Sequence, residues 1–326
     1  MKPQKPKVAL VLGGGGARGL AHIGVLKALQ ENNIPIDIIT GTSIGAFIGG
    51  LYASGIGIDQ MEEIALSIDK KFVMKMLAPG LPTSGFVDGE NIRGYLNTLL
   101  KGSSIEHSKL TYAAVATDLK TGNEVVIKKG LIVEAIMASI AIPILFKPVF
   151  YRIRFLCDGG LVNPLPVNVA YKLGADVVIA VNVEQIPLVN IEKNQSKESN
   201  GIFRLNKTIA GMRSRFRRQS QGTAEPSGQI KKLEKGTGAT AQINPHPIHL
   251  SILRILMQSI AIMEYNLIIS RLVYNKPDIL ISVPSSKYDL LEFHRAGEII
   301  KKGKSATLKA LPLITAKISG ESANNF

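Results

Sequence analysis

The sequence predicts an α/β protein with a parallel sheet. Two near-continuous apolar runs, Val8 to Leu12 and Asp176 to Glu184, have the composition of strands that are buried on both faces. Segments with helical spacing of apolar residues alternate with such strands, which is typical of sheets whose connections are helices. At 326 residues the chain is long enough for one large domain of this class or for two smaller ones.

Composition limits the compartment and the partners. The net charge of +14 favours an anionic partner, such as a membrane surface, an acidic lipid or a nucleic acid. The single cysteine, Cys157, excludes an internal disulfide and is interpreted as a small buried hydrophobe. The run Val8 to Leu12 is too short for a signal peptide, and no 18 apolar residues stand together uninterrupted. We therefore expect a cytoplasmic protein that could contact membranes at their periphery but does not span them.

The first half of the chain predicts three βα units and a hairpin. In order, we expect a strand at Val8–Leu12, a helix at Leu20–Asn32, a strand at Ile36–Thr40, a helix after Ser43, an amphipathic helix at Ile58–Leu77, a loop at Pro79–Phe86, a helix at Asn91–Leu100, hairpin strands at Leu110–Thr117 and Glu124–Ile127, and a helix at Leu131–Ser139. This last helix ends before Pro143, because a proline ring is poorly tolerated inside a helix.

The second half continues the same alternation around one insertion. We expect a strand at Tyr151–Cys157, a loop at Leu161–Pro166, a helix at Val167–Leu173, a strand at Asp176–Glu184, a helix at His249–Tyr274, a strand at Asp278–Val283, a helix at Leu290–Lys302 closed by Gly303, and a helix at Thr307–Ile318 interrupted by Pro312. This predicts a single catalytic domain over residues 7–318, interrupted at 190–247 and followed by a frayed tail at 320–326.

The segment 190–247 is polar and basic, and its 11 Lys and Arg against 4 Glu supply half of the excess charge. Within it, Ile202, Leu205, Ile209, Met212 and Phe216 recur at helical spacing. The basic residues around this stripe are Arg204, Lys207, Arg213, Arg215, Arg217 and Arg218. Such a helix could lie on an anionic membrane, cover the protein's own cleft or simply be solvated. Residues 219–244 are expected to be disordered.

A sharp turn between a predicted strand and a helix carries Ser43. Gly41 and Gly45 flank this serine in a G-x-S-x-G pattern, and both leave its hydroxyl open to approach. The helix that follows begins beside Ser43, and its amides and dipole favour negative charge there. The pattern predicts a nucleophilic serine; the alternative is a βα turn that happens to hold a serine.

A glycine-rich loop, Gly13 to Gly19, follows the first strand and includes Arg18. Its G-x-G-x-x-G spacing, with Asp37 further on, also fits a dinucleotide-binding loop. Arg18 inside the loop and the neighbouring serine turn argue against that interpretation. Backbone N–H groups that converge on one spot can equally stabilise an oxyanion, which we consider the better interpretation.

A nucleophilic serine needs a base, and none of the five histidines has the setting of one. Asp158 does, because it ends a predicted strand and precedes Gly159 and Gly160, which let the backbone turn and free the carboxylate. An ordinary turn aspartate is the alternative. The sequence therefore suggests a two-residue arrangement of Ser43 and Asp158.

Four motifs occur in a fixed order: GGGARG at residues 14–19, GTSIG at 41–45, ASIAIP at 138–143 and DGG at 158–160. In this order they resemble the patatin-like phospholipase family, densely over about residues 7–184 and again over 249–303. The insertion between these ranges departs from the resemblance. Ser139 is interpreted as a structural helix-end serine, Asp118 as a hairpin-turn residue, and Pro143 and Phe146 as wall residues.

The resemblance implies a three-layer α/β/α sandwich with a mainly parallel central sheet. It also implies that Ser43 is the nucleophile and Asp158 the base, and that the amides of Gly14, Gly15 and Gly16 form the oxyanion hole. Arg18 would steady that loop or face a phosphate. The implied reaction is hydrolysis of a fatty-acyl ester of a phospholipid or lysophospholipid through an acyl-serine, without a cofactor.

Three other functions were weighed. A non-catalytic lipid-binding module could keep the fold and contact membranes through the basic stripe, although an intact Ser43, Asp158 and glycine loop argue against lost catalysis. A nucleotide-dependent oxidoreductase is supported only by the G-x-G-x-x-G spacing of the glycine-rich loop. Nucleic-acid binding rests on net charge alone, and metal binding is not expected because no His, Cys and acid cluster has ligand spacing.

Overall fold

The computed structural model describes residues 5–77, 87, 89–183 and 252–320. These residues belong to one compact unit, made of Met1–Pro187 together with Ile252–Phe326. The predicted insertion at 190–247, with its basic stripe from Arg204 to Arg218, and residues 321–326 of the tail lie outside the described residues.

The described residues form an eight-stranded sheet. Its strands are β1 (Val8–Leu12), β2 (Ile38–Thr42), β3 (Thr111–Asp118), β4 (Glu124–Ile127), β5 (Val149–Tyr151), β6 (Arg154–Asp158), β7 (Val177–Asn182) and β8 (Ile279–Ser282). Strands β3, β2, β1, β7 and β8 pair in parallel in that order. β4 and β6 both pair antiparallel with β3, and β5 pairs antiparallel with β6 at the edge of the sheet. The sheet is thus mainly parallel, as the sequence predicted.

Helices cover both faces of this sheet. They are α1 (Ala21–Glu31), α2 (Ile44–Ala53), α3 (Ile58–Ser67), α4 (Lys70–Met76), α5 (Glu90–Leu100), α6 (Ile132–Ser139), α7 (Val167–Lys172), α8 (Ile252–Tyr274) and α9 (Ala296–Ser319). Alternate β1 residues point to opposite sides: Leu10 packs in the cluster that holds α1, α2, α6 and α9, and Val11 packs with α7 and α8. This arrangement confirms the three-layer α/β/α sandwich.

The amphipathic segment 58–77 is two helices rather than one. Helix α3 ends at Ser67, and the Asp69 side chain then accepts a hydrogen bond from the Phe72 amide at 2.7 Å. An aspartate in this position caps a new helix, so α4 begins at Lys70. The single-helix prediction was wrong because the apolar spacing continues across the cap.

The predicted strand at 151–157 is a hairpin. Strands β5 and β6 pair antiparallel, with Tyr151 opposite Arg154, so only Arg152 and Ile153 form the turn. Arg152 has a φ of 57° there. A two-residue hairpin turn needs left-handed backbone, but this one carries no glycine or asparagine. The residues Arg152 and Ile153 are not typical of hairpin turns, so the turn could not be predicted from them.

The C-terminal helix begins later and runs further than predicted. Residues 290–295 form a loop with a short 3-10 turn, and α9 continues from Ala296 through Gly303 and Pro312 to Ser319. Gly303 does not end a helix. A Cβ there would lie 1.9 Å from the Ala21 carbonyl oxygen, and one at Gly24 would lie 2.0 Å from the Ile300 oxygen. These two glycines let α1 and α9 pack backbone to backbone.

Among the described helices, one is long and apolar enough to cross a membrane when judged by length and composition alone, the stretch Ile255–Tyr274 of α8. Glu264 and Arg271 interrupt its apolar run, so the sequence did not predict a membrane span here. Ile268 of this helix is fully buried against the sheet and Leu272 packs beside it. Only 11% of the apolar window is buried among the described residues, so this helix lacks the burial of an ordinary core helix.

Candidate active site

Ser43 lies in a strained turn between β2 and α2, with φ 55° and ψ −124°. Gly41 and Gly45 make this turn possible. A Cβ at Gly41 would lie 2.4 Å from the carbonyl carbon of Gly45, and a Cβ at Gly45 would lie 2.1 Å from the Leu12 oxygen. Because both contacts are with backbone that cannot move aside, any side chain at either position would displace the serine. Strain of this kind is concentrated at functional sites.

The Ser43 hydroxyl donates a hydrogen bond to Asp158 Oδ2 at 2.6 Å. Asp158 ends β6 and is 2% exposed. Its second oxygen, Oδ1, accepts from the Gly160 amide at 2.8 Å, which fixes the orientation of the carboxylate. A Cβ at Gly159 would lie 2.3 Å from the Val115 oxygen, so this glycine allows the turn to pass over β3. The structure brings together the two residues that the sequence paired.

The surroundings of Asp158 change its basicity. Burial raises the pKa of its carboxyl from the ordinary range to about 6, against the opposing effect of the hydrogen bonds from Ser43 and Gly160. A carboxylate with an ordinary pKa is a weak base for a serine hydroxyl, so this shift favours proton transfer. The charge on Asp158 should therefore be lost in mildly acidic solution.

The glycine loop lies beside Ser43 because β1 and β2 are neighbours, with Leu12 paired with Gly41. The Gly14 amide does not point into the site, since it donates to the Pro164 carbonyl at 2.9 Å. The Gly14 amide is therefore not free to stabilise an oxyanion, and of the three predicted amides only those of Gly15 and Gly16 remain candidates for that role. Both have left-handed backbone, with φ of 142° and 54°.

Arg18 is 1% exposed and supports the loop from inside the protein. Its Nε donates to the Gly15 carbonyl at 3.3 Å, and its backbone amide donates to the same oxygen at 3.2 Å. Holding this carbonyl on one side of the peptide turns the Gly16 N–H to the other side. Of the two predicted roles for Arg18, this contact supports the loop-steadying one.

Two structural features of this site, a buried histidine and a loop, were not singled out from the sequence. His22 is fully buried, and its Nε2 lies 2.9 Å from the Gly13 carbonyl oxygen; burial lowers its pKa to about 4, so the ring is neutral and donates. Its Nδ1 has no hydrogen-bond partner among the described residues. The loop at Asn163 and Pro164 is the second, because Asn163 O accepts from Thr42 Oγ1 at 2.7 Å.

Ser139, interpreted as a helix-end residue, contacts Ser43 directly. Its Oγ accepts a hydrogen bond from the Ser43 amide at 2.9 Å and donates to the Val115 carbonyl at 2.6 Å. Two residues further on, the Ala141 carbonyl accepts from the Asp158 amide at 2.9 Å. The segment 139–141 therefore holds the backbones of both Ser43 and Asp158. Nothing local in the sequence marks this role, because Ser139 and Ser43 are 96 residues apart.

A cavity of about 1130 Å³, its open mouth included, begins at Ser43 and Gly16. Ile44, Phe47 and Leu51 of α2 line it, so it follows the helix for about 12 Å from the serine. The remaining walls come from α3, α4, α5, the segment 140–146 and the loop 290–293, and they are almost entirely apolar. Phe146 is one of these wall residues, as the sequence predicted, whereas Pro143, predicted with it, is not. The cavity suits an extended hydrocarbon chain.

In the part of the chain that the structure describes, no group of three His, Cys, Asp or Glu side chains could hold a metal ion. Cys157 is buried, and its surroundings raise the pKa of the thiol to about 11, so it is a poor nucleophile.

Several known proteins are similar in sequence to this chain. Residues 10–171 match the family model described as patatin-like phospholipase. An uncharacterized NTE family protein of Mycobacterium tuberculosis is 32% identical over 330 residues, which covers 94% of this chain and 91% of the relative. The human patatin-like phospholipase domain-containing protein 6 is 38% identical over 182 residues, 54% of this chain and 13% of that protein.

A further relative is the protein named lysophospholipase nte1 of Emericella nidulans, 37% identical over 186 residues, which cover 55% of this chain and 12% of the relative. Among solved structures, VipD from Legionella pneumophila aligns with a TM-score of 0.43 and 13% identity, over 96% of this chain and 67% of that one.

Proposed function

The chain belongs to the patatin-like phospholipase family, and on that basis we propose that it is a serine hydrolase of lipid acyl esters. Ser43 is the nucleophile and Asp158 the general base of this proposal. The observation that carries it is the 2.6 Å hydrogen bond from Ser43 Oγ to a buried carboxylate, made at the mouth of an apolar cavity.

In the first half of the reaction, Asp158 Oδ2 takes the hydroxyl proton as Ser43 Oγ bonds to the ester carbonyl carbon. The tetrahedral intermediate then collapses, its C–O bond to the alcohol breaks, and the alcohol leaves with the proton from Asp158. In the second half Asp158 takes a proton from water, the resulting hydroxide attacks the acyl-serine, and the fatty acid leaves as the proton returns to Ser43.

The negative oxygen of each tetrahedral intermediate would be stabilised by the Gly15 and Gly16 amides. Among the described residues, neither amide donates to a protein acceptor, and Gly16 lines the same cavity as Ser43. Oxyanion donors of this kind are worth about 3–4 kcal/mol each at the transition state. The dipole of α2, whose N-terminus lies beside Ser43, also favours negative charge on that oxygen.

The cavity supports a long-chain acyl group as the part of the substrate that is recognised. Its walls are apolar over about two turns of α2, and among the described lining residues only Ser43 and Tyr95 carry a polar side-chain group. We propose a phospholipid or lysophospholipid as the substrate, with its acyl chain along α2. The relative named lysophospholipase nte1 agrees with this substrate class.

The test is turnover of a phospholipid, a lysophospholipid and a short-chain p-nitrophenyl ester by the wild type, Ser43→Ala and Asp158→Asn. The proposal expects hydrolysis by the wild type and loss in both variants, with each variant folded as judged by circular dichroism. If the folded wild type hydrolyses none of the three esters, the non-catalytic lipid-binding module becomes the better account.

A further inference from the structure

The hairpin of β5 and β6 carries an exposed apolar surface, which we call the hairpin patch. It consists of Phe150, Ile153 and Phe155, which are 62%, 88% and 56% exposed. The rings of Phe150 and Phe155 face each other across the two strands with centroids 5.1 Å apart. Large apolar side chains that are contiguous and this exposed mark interaction sites in soluble proteins.

Side chains along β5 point alternately to the buried and the exposed face of the hairpin, and the patch lies on the exposed face. Val149 and Tyr151 point inward and pack against the main core, while Phe150 between them points outward. An outward position on a hairpin with one buried face is ordinarily polar. Here a cross-strand pair of phenylalanines and an isoleucine at the turn occupy the outer positions instead. The core does not require them.

Basic residues surround the patch. Arg152 and Arg154 flank Ile153 at the turn, and both are exposed. The neighbouring β3–β4 turn adds Leu119, 54% exposed, and Lys120, and is joined to the hairpin by the Leu119 amide, which donates to the Phe155 carbonyl at 2.9 Å. Arg154 forms an ion pair with the buried Asp118, whose Oδ2 lies 3.7 Å from the Arg154 Nη1. The surface thus combines aromatic and aliphatic groups with excess positive charge.

Both strands of the hairpin lead to the active site. β6 ends at Asp158, so Ile153 is five residues, at most about 17 Å, from that carboxylate. β5 follows the segment 140–146, whose residues Ile142, Leu145 and Phe146 line the acyl cavity. A surface bound by the hairpin patch would therefore lie within a short distance of the proposed reaction.

We propose that the hairpin patch is a docking surface for an anionic lipid bilayer. Phe150, Ile153 and Phe155 enter the boundary between head groups and acyl chains, and Arg152, Arg154 and Lys120 contact anionic head groups. Apolar burial and attraction to anionic lipids together give peripheral binding of this kind. The positive net charge of the chain complements such a membrane. This inference rests on the proposed lipid substrate, but binding can be measured without turnover.

The first experiment measures flotation with vesicles, and every protein carries Ser43→Ala so that hydrolysis plays no part. Vesicles of phosphatidylcholine alone are compared with vesicles of equal parts phosphatidylcholine and phosphatidylglycerol. We expect binding to the anionic vesicles, at least a tenfold loss of binding with Phe150→Thr and Ile153→Thr together, and a smaller loss with Arg152→Gln and Lys120→Gln.

A matched control uses the exposed apolar Leu308, which lies beside Lys304 and Lys309 on α9. Leu308→Gln and Lys309→Gln remove a similar combination of apolar and basic groups far along the chain from the hairpin. We expect them to leave vesicle binding unchanged. Equal losses from the hairpin and the α9 variants would show general charge attraction and would overturn the proposal.

A second experiment locates the contact. The chain contains no tryptophan, so Ile153→Trp or Leu308→Trp introduces a single fluorophore. We expect the emission of Ile153→Trp to shift to the blue with anionic vesicles and to be quenched by brominated lipid, and that of Leu308→Trp to remain unchanged. Vesicle binding without any change at position 153 would place the contact elsewhere and overturn the proposal.

The competing occupant of the patch is a second copy of the chain, because β5 is an edge strand. Size-exclusion chromatography separates the two: a dimer that Phe150→Thr and Ile153→Thr convert to a monomer, with no vesicle binding, would overturn the lipid interpretation. Turnover of a soluble p-nitrophenyl ester by proteins that keep Ser43 reports on the proposed function separately. Loss of vesicle binding with that turnover intact contradicts only the docking surface.

Discussion

The Ser139 hydroxyl accepts a hydrogen bond from the Ser43 backbone amide at 2.9 Å. The donor belongs to a residue with φ 55° and ψ −124°, a backbone conformation that must be held by its neighbours. The same hydroxyl is anchored to β3 through the Val115 carbonyl. Since the Ala141 carbonyl accepts a hydrogen bond from the Asp158 amide, the short segment 139–141 at the end of α6 sets the relative position of Ser43 and Asp158.

We therefore predict that Ser139→Ala lowers kcat by about tenfold to a hundredfold and leaves KM nearly unchanged, because misplacing the nucleophile affects the chemical step more than binding. Steady-state kinetics on a soluble ester measure this. Ser285→Ala is the matched control, since Ser285 is equally buried and its hydroxyl donates to the Val183 carbonyl at 2.6 Å. If Ser285→Ala lowers kcat as much, Ser139 has no specific positioning role.

The pH dependence of kcat/KM should report the ionisation of Asp158. Burial raises the pKa of this carboxyl to about 6, and the base must be ionised to accept the serine proton. We predict that kcat/KM falls as the pH decreases through about 6 and is level above it. His22 does not contribute, because the pKa of its buried ring is lowered to about 4. A rate that stays constant down to pH 4 would contradict Asp158 as the base.

Stability should change in the opposite direction to activity in Asp158→Asn. A carboxyl whose pKa is raised by folding favours the folded state only while it is protonated, and this contribution is lost as the pH rises through the folded pKa. At pH 8 the wild type buries the charge, whereas the amide does not. We predict that Asp158→Asn has a higher Tm than the wild type at pH 8, with a free energy of unfolding larger by at most ~3 kcal/mol. At pH 4 the difference should be smaller. Thermal melts at both values measure this.

The cavity along α2 should set the preferred acyl length. Leu51 lines it two turns beyond Ser43 and is 2% exposed, so Leu51→Phe fills its inner part. We predict that kcat/KM for a long-chain p-nitrophenyl ester falls at least tenfold relative to that for the butyrate. Leu29→Phe is the control, since Leu29 is buried in α1 outside the cavity lining. If Leu51→Phe and Leu29→Phe alter the ratio of kcat/KM for the long-chain ester to that for the butyrate equally, the cavity does not set the acyl length.

The sequence predicted those parts of the site that local glycine patterns mark. Gly41 is required by a contact within the turn itself and Gly45 by the Leu12 carbonyl of neighbouring β1, while Asp158 was marked by a predicted strand end followed by two glycines. The Gly14 amide was misassigned because its acceptor, Pro164, lies on a distant loop that only the parallel pairing of β1 and β7 brings close. The role of Ser139 escaped for the same reason, because its partner is remote in the chain.

In the fold, too, features marked by local sequence were predicted and features set by distant contacts were not. Strand positions were predicted closely where apolar runs are buried on both faces, as in β1 and β7. The hairpin turn at Arg152 was missed because no glycine or asparagine marks its left-handed backbone. Gly303 was taken as a helix end, whereas it permits close packing of α9 on α1. Whether a glycine ends a helix or admits a neighbour depends on tertiary contacts, which the sequence does not display.

The central claim is that Ser43, activated by Asp158, is the residue that becomes acylated. Reaction with a fluorophosphonate probe followed by peptide mass spectrometry tests it most directly, because the probe forms a stable bond with an activated serine and not with an ordinary one. We predict one adduct, on the peptide that contains Ser43, abolished by Ser43→Ala and slowed by Asp158→Asn and Ser139→Ala. An adduct on another serine, or folded wild type that does not react, would contradict the account.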